Sequence, residues 1–213
     1  MTIAKSLMLG TAAAMIAFQP AFADASTDVL NGQCNLGDVW SQIKVETDKD
    51  DISATATSIG NNFSADLQYE AGWVTSNQKN TGDIGSEVKA TISNPVGNVS
   101  VASTSIGNNV VATNYDNYMD SYSSQENTGG VNAKTSVSVA NAGGHGVSAS
   151  SVAAGNSYTA GHQWGYGDTQ SYSSQINSGD VSAQTYVNVN NAGNISATAT
   201  AIGNNAIVTN LNQ

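Results

Sequence analysis

Two histidines, His145 and His162, one cysteine, Cys34, and many serines are all that this chain offers for acid–base, metal or nucleophilic chemistry. Such chemistry needs these groups to converge on a partner at ligand or hydrogen-bond spacing. Each histidine instead stands alone in a glycine-rich stretch, in a different repeat unit, and both read as surface-turn residues. No Gly-x-Ser-x-Gly elbow with a downstream acid and base occurs. The acidic run Glu46-Thr47-Asp48-Lys49-Asp50-Asp51 lacks the glycine and closing glutamate of a calcium loop, so it reads as a solvated turn. Cys34 has no second thiol in the chain to pair with; it is either inert or an intermolecular link. The expectation is therefore a protein that is not an enzyme and needs no cofactor.

Binding chemistry is better represented. Tyr115, Tyr118, Tyr122, Trp164, Tyr166 and Tyr172 cluster in the second half of the chain, with Trp73 and Tyr69 in similar places earlier. An exposed aromatic ladder could stack on sugar rings or on a partner surface; equally, such rings could cover neighbouring repeats. Side-chain amides recur in two motifs. One is Gln-x-Asn-x-Gly, in Gln33–Gly37, Gln78–Gly82, Gln125–Gly129 and Gln175–Gly179. The other is Ile-Gly-Asn-Asn, at Ile59, Ile106 and Ile202, degraded to Ala154-Gly155-Asn156-Ser157 in the third copy. An amide both donates and accepts, so a column of identical amides can satisfy itself along a stack.

What must position these motifs is a repeat. Gly37, Gly60, Gly82, Gly107, Gly129, Gly155, Gly179 and Gly203 recur every 22–26 residues, which is a solenoid signature. Two kinds of unit alternate, giving a superperiod of 47–50 residues. Strands of strict alternation begin at Val39, Ile84, Val131 and Val181, and second strands at Ile52, Val99, Val147 and Ile195. Polar turns between them, such as 93–98 and 190–194, suit the positive backbone angles of tight reversals. Reading the glycines as turns gives an all-β solenoid of strand-turn-strand rungs of about 23 residues, roughly 36 Å tall at ~4.8 Å per rung. On that reading Glu87 and Lys134 lie two rungs, about 9.6 Å, apart. The chain divides into a signal peptide (1–23), a lead-in (24–36) that shields the first rung, and the solenoid (37–213), which ends in an uncapped half-rung.

The signal peptide rests on Lys5, the apolar run from Leu7 to Ala17, and the small-x-small site Ala21-Phe22-Ala23. Without Lys5, five lysines face sixteen acids and arginine is absent, so nucleic acid is not a partner. Secretion and open strand edges point instead to self-association through the sheet ends.

The alternation of Ile-Gly-Asn-Asn with Gln-x-Asn-x-Gly behind a signal peptide resembles the curlin repeat of bacterial curli. It looks equally like the curli-like, holdfast-anchoring surface proteins of stalked bacteria. The likeness covers roughly residues 31–213. The resemblance implies an amyloid-like β-solenoid secreted to the outer membrane surface, acting in adhesion or biofilm formation. By analogy Gln33, Gln78, Gln125 and Gln175 fill the stacking-glutamine position, and Asn61, Asn108, Asn156 and Asn204 the stacking-asparagine position. Expected partners are further copies, related anchor subunits or a surface polysaccharide. A different class, a monomeric solenoid that binds carbohydrate or ice, is suggested by the aromatic group and by the runs Thr55-Ala56-Thr57 and Thr198-Ala199-Thr200.

Overall fold

A computed structural model describes residues 27–48, 51–67, 71–115, 117–163 and 167–210. The signal segment 1–23, Tyr69, Trp164 and Tyr166 lie outside them. Among the described residues the regular structure is all strand. The first three strands are β1 (Thr27–Asn35), β2 (Val39–Thr47) and β3 (Ile52–Leu67). The pattern repeats as β4 (Gly72–Asn80), β5 (Ile84–Ile92) and β6 (Val99–Asn114). It continues as β7 (Met119–Asn127), β8 (Val131–Val139) and β9 (Val147–His162), then β10 (Thr169–Asn177), β11 (Val181–Val189) and β12 (Ile195–Asn210). Each triplet is one coil, with strands of 9, 9 and 16 residues.

The coils stack into three parallel, in-register sheets: β1-β4-β7-β10, β2-β5-β8-β11 and β3-β6-β9-β12. The β-solenoid expected from the repeat is thus the fold, but its coil is the whole superperiod. Gln33 pairs with Gln78, Gln78 with Gln125 and Gln125 with Gln175, at separations of 45, 47 and 50 residues. Four coils replace the seven and a half rungs of the sequence reading. At ~4.8 Å per coil, the strand layers span about 14 Å from first to last. Glu87 and Lys134 consequently sit on adjacent coils, with Nζ 3.7 Å from the carboxylate. The pair is partly exposed, and Lys134→Ala should change stability by less than about 1 kcal/mol in a denaturant titration.

One sequence feature explains the doubling. Strand starts at Val39, Ile52 and their later copies are as expected. The Gly60, Gly107, Gly155 and Gly203 motifs, however, are not reversals; they lie inside the long strands. In β3 the inward residues are Ile52, Ala54, Ala56 and Ser58, then Asn61, Phe63, Ala65 and Leu67, so the alternation slips by one residue at Ile59-Gly60. This corner lets one long strand cover two short ones. Its first half faces β2, β5 and β8 around Val88, Ile92, Val99 and Val137. Its second half faces β4 and β7 around Val74, Val110, Met119 and Tyr158. Only glycine fits the corner: a Cβ on Gly107 would lie 2.5 Å from the Gly155 carbonyl oxygen and 2.6 Å from Asn127 Oδ1.

True reversals occur at the ends of the long strand, where Gly143, Gly144 and Asn191 adopt positive φ. Residues 27–35, inside the stretch read as a lead-in, form a full strand of the first coil, hydrogen-bonded to β4. At the other end β12 pairs with β9 through Asn210, so the fourth coil is complete rather than a half-rung.

Candidate functional site

The core is thin and made largely of Val and Ala, so apolar burial alone gives each coil little. Amide ladders running the height of the stack supply the rest. Asn61 Nδ2 donates to Asn108 Oδ1 (2.7 Å), Asn108 to Asn156 (2.8 Å) and Asn156 to Asn204 (2.7 Å). The second amide hydrogen of each also reaches the next coil: Asn61 to Lys79 O, Asn108 to Glu126 O and Asn156 to Ile176 O. The glutamine ladder runs the opposite way, Gln175 donating to Gln125 (2.7 Å), Gln125 to Gln78 (3.2 Å) and Gln78 to Gln33 (2.9 Å). Its spare hydrogens bond carbonyls of the facing long strand, Asn62 O, Asn109 O, Ser157 O and Asn205 O. All eight residues assigned by resemblance are therefore ladder residues.

A third ladder was not anticipated. Asn35 donates to Asn80 (2.7 Å), Asn80 to Asn127 (2.6 Å) and Asn127 to Asn177 (2.7 Å), while each also bonds the glycine carbonyl two residues on. It occupies the middle of Gln-x-Asn-x-Gly, where the repeated Asn was the available signal. The two asparagine ladders share one polarity along the stack, and the glutamine ladder has the opposite one. The first coil presents asparagine acceptors and a glutamine donor; the fourth presents asparagine donors and a glutamine acceptor. Asn204, with no fifth coil above it, turns one hydrogen back to Gln175 O at 3.3 Å.

The aromatic candidates divide. Tyr122 and Tyr172, on the outer face of β7 and β10, stack with centroids 5.0 Å apart and planes within 6°. Tyr118 joins a neighbouring cluster in which its hydroxyl and Trp73 Nε1 donate to the two oxygens of Asp120, at 2.7 and 2.8 Å. That hydrogen bond to Asp120, with lesser help from burial and the Asp120 charge, pushes the Tyr118 phenol from about 10 up to about 12. The neutral phenol is the favoured form. Its stabilising contribution is whole below pH 10 and fades as pH rises through about 12. Ultraviolet titration should show the late ionisation of Tyr118 in the parent protein and its loss in Asp120→Asn. Tyr115 lies apart, half-buried in the turn after β6.

His162 corrects its reading as a surface residue. It follows Leu67 and Asn114 in the inward column of the long strands and is fully buried. The shifted alignment beyond the glycine corner places it there. His145 does sit in a turn, partly exposed. Among the described residues no group of His, Cys, Asp and Glu is placed to hold a metal ion, and Cys34 is an exposed free thiol. The threonine runs face outward from β3 and β12, but Ala102 and Val152 interrupt their column on β6 and β9.

No curated protein and no solved structure matches the chain. A family model described as holdfast attachment protein D matches residues 23–130 and again 122–213. The two matches together run the length of the solenoid, and the chain belongs to the holdfast attachment protein D family.

Proposed function

We propose that this protein is a curli-like anchor subunit, secreted to the outer membrane surface, that attaches the holdfast by stacking end to end with further copies. Membership of the family supports the coarse role, holdfast attachment at the cell surface. The self-association rests on one observation, the match between the two ends of the stack. Strands of 9, 9 and 16 residues form both the first and the fourth coil. Setting a second copy's β1 on β10 brings Gln33 over Gln175, Asn35 over Asn177 and Asn61 over Asn204. At each position a donor then meets an acceptor, and Asn204 regains the upward partners that the lower asparagines have.

The fourth coil also lacks the devices that keep edges apart. Exposed strand edges are usually blunted by charge or proline. Between residues 169 and 210 the single charged residue is Asp180, and there is no proline. Ile195, Ile207 and Val208 are exposed there. The first coil carries Asp28, Asp38, Glu46 and Asp66 with Lys44, so each joint sets a charged coil against a nearly uncharged one rather than like charge on like charge.

A lysine at an inward position of β12 tests this. Ala199→Lys is expected to leave far-ultraviolet circular dichroism unchanged and to abolish sedimentable, thioflavin-positive assemblies of the mature chain. Assembly of Ala199→Lys at the parent rate, or a parent chain that stays monomeric at high concentration, would overturn the proposal.

A further inference from the structure

We infer that the outer face of β4, β7 and β10 binds an uncharged polysaccharide chain, a role separate from stacking through the coil ends. The three sheets differ sharply on their outer faces. That of β2, β5 and β8 is charged, with Lys44, Glu46, Glu87, Lys89 and Lys134 beside one exposed ring, Trp40. The long strands present mainly Ser and Thr, with Asn and scattered Ile and Val and without a ring. Rings and neutral hydrogen-bonding groups come together on the remaining sheet. There a groove of about 600 Å³ is lined by Thr75, Asn77, Tyr122, Ser124, Tyr172 and Ser174.

The groove is built by a change in residue size along two columns. Tyr122 and Tyr172 share a column with Thr75, so the ring pair stands as a wall that steps down on the second coil. Asn77, Ser124 and Ser174 share the next column, and these small residues make the floor. Near-parallel rings whose centroids are 5.0 Å apart form an offset stack, so part of each face stays open. Tyr122 is 43% exposed and Tyr172, on the end coil, 55%, and both rings point outward. Apolar ring faces beside hydroxyl and amide donors match the mixed C–H and O–H surface of a sugar.

Charge selects among polysaccharides. Among the described residues the face offers no unpaired cation to a polyanion: Lys79 is held by Glu126 at 3.1 Å, and Asp120 adds a negative charge beside Trp73. The chain as a whole carries a net charge of −10. Acidic polymers are repelled, and uncharged ones are not.

Affinity electrophoresis of the mature chain tests the assignment, with hydroxyethyl cellulose, laminarin or soluble chitin oligomers in the gel and alginate as the polyanion. The parent chain should be retarded by at least one uncharged polymer and not by alginate. Tyr122→Ser/Tyr172→Ser should weaken that retardation at least about 10-fold. Tyr186→Ser, which removes an exposed ring from β11, should leave it unchanged. No retardation by any uncharged polymer, preference for alginate, or equal loss in Tyr186→Ser would overturn the inference. Running Ala199→Lys in the same gels separates the two readings: glycan binding persists in it even if stacking is lost.

Discussion

Asn108→Ala should cost the protein about 3 kcal/mol or more, while Asn109→Ala, one residue on, should cost less than about 1 kcal/mol. The two side chains are the same; Asn108 belongs to a column of four asparagines and Asn109 to one in which Ser157 replaces the third. They differ in which way they face. Asn108 is fully buried, accepts from Asn61, and donates to Asn156 and to Glu126 O. Its truncation orphans one donor and two acceptors in a dry interior, and each such orphan costs about 1–3 kcal/mol. Asn109 donates to Asn62 on the outer surface, where water replaces the bond. Against a typical total of about 5–15 kcal/mol, the first loss removes a large share of stability. Chemical denaturation of the two single variants, followed by circular dichroism, checks the contrast.

A second pair of variants separates folding from assembly. In Gly107→Ala the new methyl would lie 2.5 Å from Gly155 O and 2.6 Å from Asn127 Oδ1. Both are fixed, one by the sheet and one by a ladder, so neither can retreat without breaking bonds above and below. A loss of at least about 3 kcal/mol, or failure to fold, is expected. The corner glycine clashes with the coil above it, as Gly60 does with Gly107 O and Gly155 with Gly203 O. Gly203 has no coil above it, and a methyl there would meet only Asn177 Nδ2, at 3.8 Å. Gly203→Ala should therefore fold with parent stability yet fail to stack, because the next copy's Gly60 carbonyl would fall on the methyl. Melting curves report the first effect and sedimentation the second. A Gly203→Ala chain that assembles normally would mean that copies do not meet in this register.

Much of this arrangement was legible in the residues. Period-two alternation marked the first residues of eight strands, from Val39 and Ile52 to Val181 and Ile195. The paired amide motifs marked two of the three ladders. The coil length was misjudged because Ile-Gly-Asn-Asn carries turn chemistry without making a turn. Its glycine is there for close approach, and the chain passes straight through with its alternation shifted. The superperiod of 47–50 residues already held the right answer, since only residues one superperiod apart are of matching type. The same slip hid His162: counting from Val147, it falls on the outward parity, and only the corner turns it inward. The Tyr122–Tyr172 stack needs the 50-residue offset between β7 and β10, which local spacing does not reveal.

Electron cryo-microscopy of the assembled protein tests the end-to-end stacking most directly. Four coils at ~4.8 Å place successive copies about 19 Å apart along the axis, with glutamine and asparagine columns continuous across the joint. That rise, with Gln33 of one copy above Gln175 of the next, is the predicted result. A rise near 38 Å, a lateral packing of closed stacks, or particles that remain single at high concentration would contradict it.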